Sequence, residues 1–584
     1  MCNRSWNVSD TGAKIRSGSD ARRLQRGPVT PVNETRGRRT LLLSLALILF
    51  VAAVARFWGL AFGLPHTQAR PDETHIIEAA RSMLSGRLPR FYDYPWLYIS
   101  TLSVLYIGYY AWGVATGAFH TLAEMVASWP AYWAPFFLIS RALAATFGTA
   151  TVYVVFRIGR RLWGDTAGLI GALFLALAFI HARDSHFGTT DTMLTFFIVL
   201  SVGLLMKAHH TGRQRHFVVA GIVGGLGAAT KYNALLLVAP IVASYLLHVA
   251  LSSDRVRAVR DPRLFTYGLP FLAAFAVGVP FILVDYPNFA LAMRDLQDSM
   301  LKGDPRLGLS NGWLHHLVNS MRYGLGLPLL LASLGGAALL AVRAPGVAVL
   351  LLAFPVAYYS VAGSFGKLFF RYTIPIVPFL CLTAGYLVWQ AGVLAGSLWP
   401  GARRARVATT ISVSLLTVLV IGPSAINLWR FDRIVDRTDN RVVVSEWFEQ
   451  HVPPGSSLLQ SGSRYGLAQF SRHLGYKEWV WDGGSGIFRV GGRPASGEPE
   501  WLVLQDSPLP STTQTLVTQL LAKDYVLVTT FKALTLTDDL VYDREDMFYM
   551  PFAGLQHVTR PGPNFALYAR RDAASNADIS TANH

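Results

Sequence analysis

The sequence is poor in charged residues and almost free of cysteine. Only 15% of its 584 residues are Asp, Glu, Lys or Arg, whereas a soluble domain carries about 25%. Because 52% of the residues are hydrophobic, the composition excludes one large soluble domain and predicts a membrane protein with several spans. The two cysteines, Cys2 and Cys381, exclude a disulfide framework and a cysteine metal site.

Acidic residues are scarcer than basic ones, and we find no evident cleavable signal peptide and no internal repeat. The formal net charge is +17, but the basic residues form short clusters between apolar runs. This pattern is typical of topology signals rather than of a nucleic-acid surface, so no nucleic-acid partner is predicted. The first 40 residues are polar and Arg-rich, and they are predicted to form a disordered cytoplasmic tail.

Eleven apolar runs are predicted to cross the membrane, although several are short. They are residues 41–63, 136–156, 167–180, 194–206, 217–230, 233–251, 264–284, 323–341, 346–361, 372–394 and 407–428. A further run, residues 95–119, is ambiguous. All the Arg-rich clusters fall inside only if this run does not cross, so we expect it to lie in the outer interface or to re-enter. The N-terminus is then cytoplasmic and the C-terminus extracytoplasmic.

The chain changes character after the last apolar run. Residues 442–451 and 512–523 have helical patterns, and residues 501–505, 525–530 and 564–569 have strand patterns. We therefore expect three parts. They are the tail (1–40), a transmembrane domain (41–430) with interfacial helices in an outer loop (64–135), and an extracytoplasmic α/β domain (431–584).

Two adjacent carboxylates, Asp72 and Glu73, follow Pro71 in the first predicted outer loop. One interpretation is structural, because negative charge at a helix N-terminus is favoured by the helix dipole. The other is catalytic. An aromatic stretch at residues 91–95, which includes Tyr94, follows and leads into the ambiguous apolar run.

The order of the motifs resembles the protein O-mannosyltransferase family, which is glycosyltransferase family 39 with the GT-C fold. The resemblance covers roughly residues 40–430 and includes bacterial aminoarabinose and galacturonic acid transferases. After the acidic pair and the aromatic stretch come Arg141 early in the second span, Gly-Arg-Arg-Leu-Trp-Gly at its end, Ser185-His186 ahead of Asp191, Ala-Thr-Lys231-Tyr-Asn between two short spans, and Arg371-Tyr372 at the start of a late span.

The resemblance implies transfer of a sugar from a polyprenyl-phosphate donor to a hydroxyl of a glycan, lipid or protein acceptor. The transfer proceeds with inversion at the outer face of the bacterial cytoplasmic membrane. Asp72 matches the family's catalytic acidic residue and is the predicted base, with Glu73 as the alternative. Neither the sugar nor the acceptor follows from the sequence.

Four cations are predicted to hold the leaving phosphate, whose negative charge grows in the transition state. They are Arg141, Lys231, Lys367 and Arg371. If residues 367–371 are helical, Lys367 and Arg371 share a face. The structural alternatives are snorkelling for Arg141, capping of a short span for Lys231, and anchoring to membrane lipid headgroups for the other two.

His186, Asp191 and Tyr94 are predicted to contact the sugar or the acceptor. Asp191 lies near the top of a span and therefore needs a partner, which could be Arg141 or Lys231. The two histidines and two aspartates around residues 181–191 do not match a standard zinc spacing. No metal site and no certain cofactor are predicted, and a divalent metal stays an unsupported option.

A long outer loop at residues 285–322 is expected to cover the site or to contact the acceptor. The main alternative function is a transporter or lipid flippase, which should carry its polar site near the midplane of the bilayer. The polar residues gather instead at the outer ends of the spans. A scaffold or receptor would leave the acidic pair and the outer cations unexplained.

Overall fold

A computed structural model of the chain describes residues 31–128, 133–309, 311–509, 515–521 and 524–574. Up to residue 435 the chain is helical. The helices of the first half are α1 (Pro31–Phe57), α2 (Pro71–Leu84), α3 (Leu97–Thr116), α4 (Leu122–Ala127), α5 (Ala134–Trp163), α6 (Asp165–Leu177), α7 (Phe179–Asp184), α8 (Asp191–Thr211), α9 (Gln214–Thr230), α10 (Val238–Leu251), α11 (Arg255–Val259) and α12 (Arg263–Val277). A 3₁₀ turn, Tyr232–Leu237, links α9 to α10.

The second half of the helical domain contains the long outer loop. Its helices are α13 (Phe281–Val284), α14 (Tyr286–Lys302), α15 (Gly312–His315), α16 (Arg322–Leu325), α17 (Leu327–Arg343), α18 (Pro345–Ala362), α19 (Val377–Ser397) and α20 (Ala402–Val435). A π-helical segment, His316–Met321, joins α15 to α16. A 3₁₀ segment, Phe370–Ile376, leads into α19.

Each of the eleven predicted spans coincides with a helix, but the count of eleven stays a prediction. In the described ranges, seven helices are long and apolar enough to cross a membrane, or eight if the bent pair around α17 is one span. The other three, α6, α9 and α12, have 13, 17 and 15 residues. At 1.5 Å per residue they reach only about 20–26 Å, less than the bilayer core. The chain is therefore a multi-pass helical membrane protein.

One expectation near the N-terminal end needs correction, and the helix at residues 97–116 favours one of the two placements expected for the ambiguous run. The predicted tail included residues 31–40, but α1 already begins at Pro31, while residues 1–30 lie outside the described residues. The ambiguous run forms one continuous helix, α3, rather than a re-entrant hairpin. It is not among the candidate spans of the described chain. Apolar side chains such as Val104 and Trp112 are exposed on it, which fits a position in the interface.

The helices alternate in direction, so the chain order assigns their ends to two sides. One side of the membrane domain carries the C-terminal domain. The helix ends on this side are the end of α1, the start of α5, the start of α8, the end of α9, the start of α19 and the end of α20. The basic clusters at residues 157–161, 255–263 and 403–406 lie at the opposite ends of their helices. The polar residues of the candidate site all lie on the first side.

The C-terminal domain contains a mixed sheet, and three of its strands coincide with the predicted strand patterns. Its helices are α21 (Asn440–His451), α22 (Thr515–Leu521) and α23 (Arg571–Ala574), and its strands are β1 (Ser457–Gln460), β2 (Lys477–Asp482), β3 (Ile487–Val490), β4 (Arg493–Ala495), β5 (Trp501–Asp506), β6 (Tyr525–Phe531) and β7 (Asn564–Arg570). In the described part of the chain the strand order is β4-β3-β2-β1-β5-β7-β6. Strand β1 is parallel to β2 and β5, and the other pairs are antiparallel.

The connection between β6 and β7, residues 532–563, attaches this domain to the membrane domain, and we call it the return segment. Its Phe548 packs against Phe62 and Phe187, with ring centroids 6.0 and 5.0 Å apart. Its Phe552 packs against Phe179 and Phe370 at 5.7 and 4.7 Å. Each of these rings is almost completely inaccessible to solvent. The return segment therefore contributes to the hydrophobic core where the two domains meet.

Candidate functional site

The site is built around the N-terminus of α2. Pro71 occupies the first turn, where its missing N–H costs nothing, and Asp72 and Glu73 follow in the same turn. Successive residues of a helix point about 100° apart. The two adjacent carboxylates therefore face different surroundings.

Glu73 is fully buried and pairs with Arg141 on α5. Arg141 Nε and Nη2 donate to the two carboxylate oxygens at 2.9 and 2.7 Å. Arg141 Nη1 donates to the carbonyls of Leu60 and Phe62, and the N–H of Gly188 also donates to Glu73 at 2.7 Å. Every guanidinium nitrogen is thus used within the protein. This geometry argues against the predicted phosphate role of Arg141 and the alternative base role of Glu73, because neither group is accessible.

Asp72 points the other way and keeps about a third of its side chain exposed. Its Oδ2 lies 2.6 Å from Nη1 of Arg371, which precedes α19. Partial burial would raise the pKa of Asp72, but the positive charges of Arg371, Arg70 and Lys231 outweigh it and lower the pKa. Asp72 is therefore an accessible carboxylate at neutral pH.

Arg371 also contacts the return segment, through Asp546. Its Nη1 donates to Asp546 Oδ1 at 2.9 Å, and Nη1 of Arg70 lies 2.7 Å from the same oxygen. Arg70 and Arg371 are both buried. Arg371 Nε has no hydrogen-bond partner among the residues described. Two buried arginines thus converge on one carboxylate beside Asp72.

Lys231 and Asp191 form a second ion pair. Lys231 caps the C-terminal end of α9 and Asp191 begins α8. Nζ of Lys231 donates to Asp191 Oδ1 at 2.7 Å, and both side chains are buried. The same nitrogen lies 5.2 and 5.8 Å from the ring centroids of Tyr94 and Tyr372, within the range of a cation–π contact. Of the two partners expected for Asp191, the structure pairs it with Lys231.

Lys367 lies in a loop before the 3₁₀ segment that contains Arg371. The condition under which Lys367 and Arg371 would share a helical face is therefore not met. Lys367 is half-buried and faces the return segment. Burial raises the pKa of Glu545 there, and the positive charge of Lys367 partly offsets this effect.

His186 is fully buried below the site. Its Nε2 lies 2.9 Å from the carbonyl oxygen of Trp58 and its Nδ1 lies 3.0 Å from that of Ala182. Asp432 on α20 is 3.6 Å from Nε2. The prediction that His186 contacts the sugar or acceptor is not supported, because its two ring nitrogens face backbone carbonyls, one just after α1 and one in α7.

Arg70 and Asp546 belong to the site but were not predicted. Arg70 is two residues before Asp72 in the sequence, and this closeness to the predicted base was the only sign, a weak one, that it belongs to the site. Asp546 lies in a mixed, soluble-looking segment with nothing in the sequence to connect it to Arg371. In the described ranges, no group of three or more His, Cys, Asp or Glu side chains is arranged to hold a metal ion.

Comparison with known proteins supports the predicted resemblance for part of the chain. Residues 136–281 match the family model described as dolichyl-phosphate-mannose-protein mannosyltransferase. This stretch contains Arg141, His186, Asp191 and Lys231 but neither Asp72 nor Arg371.

Two curated relatives align over short stretches. The chain is 38% identical over 76 residues to a polyprenol-phosphate-mannose–protein mannosyltransferase of Corynebacterium glutamicum, covering 13% of this chain and 15% of the relative. It is 24% identical over 189 residues to the putative mannosyltransferase YkcB of Bacillus subtilis, covering 32% and 22%. The matched parts thus span less than a quarter of each relative's length.

Solved structures align over more of the chain but at low similarity. The apo structure of ArnT from Cupriavidus metallidurans aligns at a TM-score of 0.47 and 14% identity, covering 93% of this chain and 99% of that one. The apo oligosaccharyltransferase of Archaeoglobus fulgidus aligns at a TM-score of 0.46 and 12% identity, covering 91% and 88%.

Proposed function

We propose that the chain is a GT-C membrane glycosyltransferase that moves a sugar from a polyprenyl-phosphate donor to an acceptor hydroxyl. The observation that carries this proposal is the accessible carboxylate of Asp72, held 2.6 Å from Arg371 at the side of the membrane domain that bears the C-terminal domain. A base beside fixed cations is what displacement of a phosphate by a hydroxyl requires. The family match over residues 136–281 supports the same reaction class.

Asp72 is the proposed base. It takes the proton of the acceptor hydroxyl while the oxygen forms a bond to the anomeric carbon. The bond between that carbon and the phosphate oxygen breaks, and its electron pair leaves with the polyprenyl phosphate. Attack from the face opposite the phosphate inverts the anomeric centre. A lowered pKa keeps Asp72 deprotonated before the reaction.

Arg371 and Lys231 are the proposed phosphate ligands, with Lys367 at the edge of the site. Arg371 has an unused Nε on a buried guanidinium, and Arg70 adds a second buried guanidinium beside it. When a phosphate draws Arg371 away from Asp72, the carboxylate loses part of its stabilisation and becomes a stronger base. Donor binding and base activation are then coupled through one residue.

Asp191 and Tyr94 are proposed to shape the sugar pocket next to Lys231. Asp191 fixes the lysine ammonium by its 2.7 Å ion pair, and the ring of Tyr94 offers a face for the sugar. Glu73 and Arg141 do not react in this scheme. Their buried pair fixes the start of α2 against α5, and thereby the position of Asp72.

The reaction is proposed to occur at the outer face of the bacterial cytoplasmic membrane, with the N-terminus inside and the C-terminus outside. The basic clusters at the opposite helix ends support this orientation. The acceptor is a glycan, a lipid or a protein. A transporter is less favoured, because the ion pairs gather at helix ends and not at midspan.

The test is sugar transfer by the purified protein in nanodiscs. A panel of radiolabelled polyprenyl-phosphate sugars is supplied with total cell-envelope acceptors, and the wild type is compared with Asp72→Asn. We expect transfer from at least one donor, reduced about 10²-fold or more in the variant. Glu78→Gln, an exposed acid on the same helix α2, is the matched control and should retain transfer. Equal transfer by wild type and Asp72→Asn would exclude Asp72 as the base.

A further inference from the structure

A cavity of about 360 Å³ lies where the return segment meets the long outer loop. Its lining includes His315 and Asn319 from the outer loop, Phe370 from the segment before α19, and Tyr542 and Asp543 from the return segment. Its volume is at the small end of the range for ligand sites in proteins, about 300–1,000 Å³.

Two residues of the lining each carry a buried polar atom that has no partner among the described residues. One is the hydroxyl of Tyr542 and the other is Oδ1 of Asp543. Both side chains are more than nine-tenths buried, with 7% and 4% of their surfaces exposed. Leaving a buried polar group unpaired costs about 1–3 kcal/mol, so such atoms are usually matched by a ligand or by water.

The remaining lining offers further contacts to a hydroxylated ligand. The Asn319 amide interacts with Nδ1 of His315 at 3.2 Å, and Phe370 presents an aromatic ring. Burial, and then the negative charge of Asp546, raises the pKa of Asp543. A protonated Asp543 can donate a hydrogen bond as well as accept one. The lining thus combines an aromatic face, polar donors and acceptors, and the positive charge of Arg544.

The cavity is joined to the proposed catalytic site by adjacent residues. The N–H of Phe370 donates to Asp543 Oδ2 at 2.7 Å, and the next residue, Arg371, contacts Asp72. Three residues after Asp543, Asp546 contacts the same arginine. The cavity is therefore connected to the proposed base through Phe370, which lines it, and Arg371, which contacts Asp72.

We propose that this cavity is the acceptor subsite and that it takes a sugar-like group with several hydroxyls. Its lining comes from the long outer loop, the segment before α19 and the C-terminal domain, whereas the lipid-linked donor must keep its tail among the membrane helices, of which α9 is capped by Lys231. The identification as acceptor rather than donor subsite rests on the proposed function. Tyr542 and Asp543 are the residues that bind the hydroxyls.

The test uses the full chain in nanodiscs and a panel of methyl glycosides of mannose, glucose, galactose and arabinose. Binding is measured by saturation-transfer NMR for wild type, Tyr542→Phe and Asp543→Asn. Each substitution keeps the shape of the side chain, and an asparagine oxygen can still accept from Phe370. Tyr568→Phe, in strand β7 away from the cavity, is the matched control. We expect at least one glycoside to bind the wild type and the control, and to bind each cavity variant about fivefold or more weakly.

Sugar transfer measured on the same samples separates this inference from the proposed function. Raised KM for the acceptor with unchanged donor binding in Tyr542→Phe supports the acceptor subsite. If the wild type transfers sugar and both cavity variants have its KM and its glycoside affinity, the cavity is not the subsite, although the transferase function stands. If the wild type binds none of the glycosides, the inference is wrong. Glycoside binding that depends on Tyr542, without any transfer, would support a sugar site and refute the transferase function.

Discussion

Replacing Arg141 with glutamine is expected to destabilise the protein rather than to remove a phosphate ligand. The substitution takes away the two charge-assisted hydrogen bonds to Glu73, at 2.9 and 2.7 Å. Both side chains are fully inaccessible to solvent, so water cannot replace the lost partner. Only the N–H of Gly188 remains on the carboxylate. Removing one member of a buried pair costs about 3–5 kcal/mol.

The assay is thermal unfolding of the purified protein, followed by tryptophan fluorescence, together with binding of polyprenyl phosphate. Arg157→Gln is the matched control, since Arg157 lies on the same helix but is exposed, with a hydrogen bond to the neighbouring side chain of Tyr153. It should change stability by no more than about 0.5 kcal/mol. The double variant Glu73→Gln, Arg141→Met removes both charges of this buried pair, and we expect it to be more stable than Arg141→Gln alone.

The opposite result would refute the structural role of Arg141. If Arg141→Gln unfolds at the temperature of the Arg157→Gln control but no longer binds polyprenyl phosphate, the arginine is a donor ligand. The buried pair with Glu73 would then have to open during the reaction.

Three further predictions concern the other residues of the site. Arg371→Gln should raise the pKa of Asp72, because the neighbouring positive charge that lowers it is removed. Since the base must be deprotonated, the acid limb of the pH profile of kcat/KM should move to higher pH. An acid limb at the wild-type pH would contradict this. Lys231→Met should weaken binding of polyprenyl phosphate about tenfold or more, with Lys231→Arg restoring part of it, whereas equal affinity in all three proteins would exclude a phosphate contact. His186→Gln should lower the unfolding temperature and leave donor affinity unchanged, and the reverse result would return His186 to the binding site.

The positions of the helices could be predicted because each apolar run is an independent signal of a span. The strands β5, β6 and β7 could be predicted for a similar reason, since each has six or seven residues with a strand-like pattern. Strands β1 and β2 lie among polar residues, and β3 and β4 have only four and three residues beside glycine-rich turns. Such short strands form through pairing with neighbours, which local sequence does not report.

The candidate site was predictable in location but not in its pairings. Asp72 lies in the first predicted outer loop, and Asp191, Lys231 and Arg371 lie at predicted outer ends of spans. The structure brings the four together. Which of two adjacent carboxylates turns inward depends on the rotation of α2 against α5, and that is set by tertiary packing. The contact between Asp546 and Arg371 was even less predictable, because it joins two domains and its residues are 175 positions apart in the sequence.

The anomeric configuration of the product is the most direct test of the central claim, that Asp72 activates an acceptor hydroxyl for one direct displacement at a lipid-linked sugar. The wild-type protein in nanodiscs is given a polyprenyl-phosphate sugar of known configuration, and the glycosidic bond of the product is assigned by NMR. We predict transfer with the configuration opposite to that of the donor. Transfer with the donor's own configuration, or the absence of transfer from every donor that the protein binds, would contradict the claim.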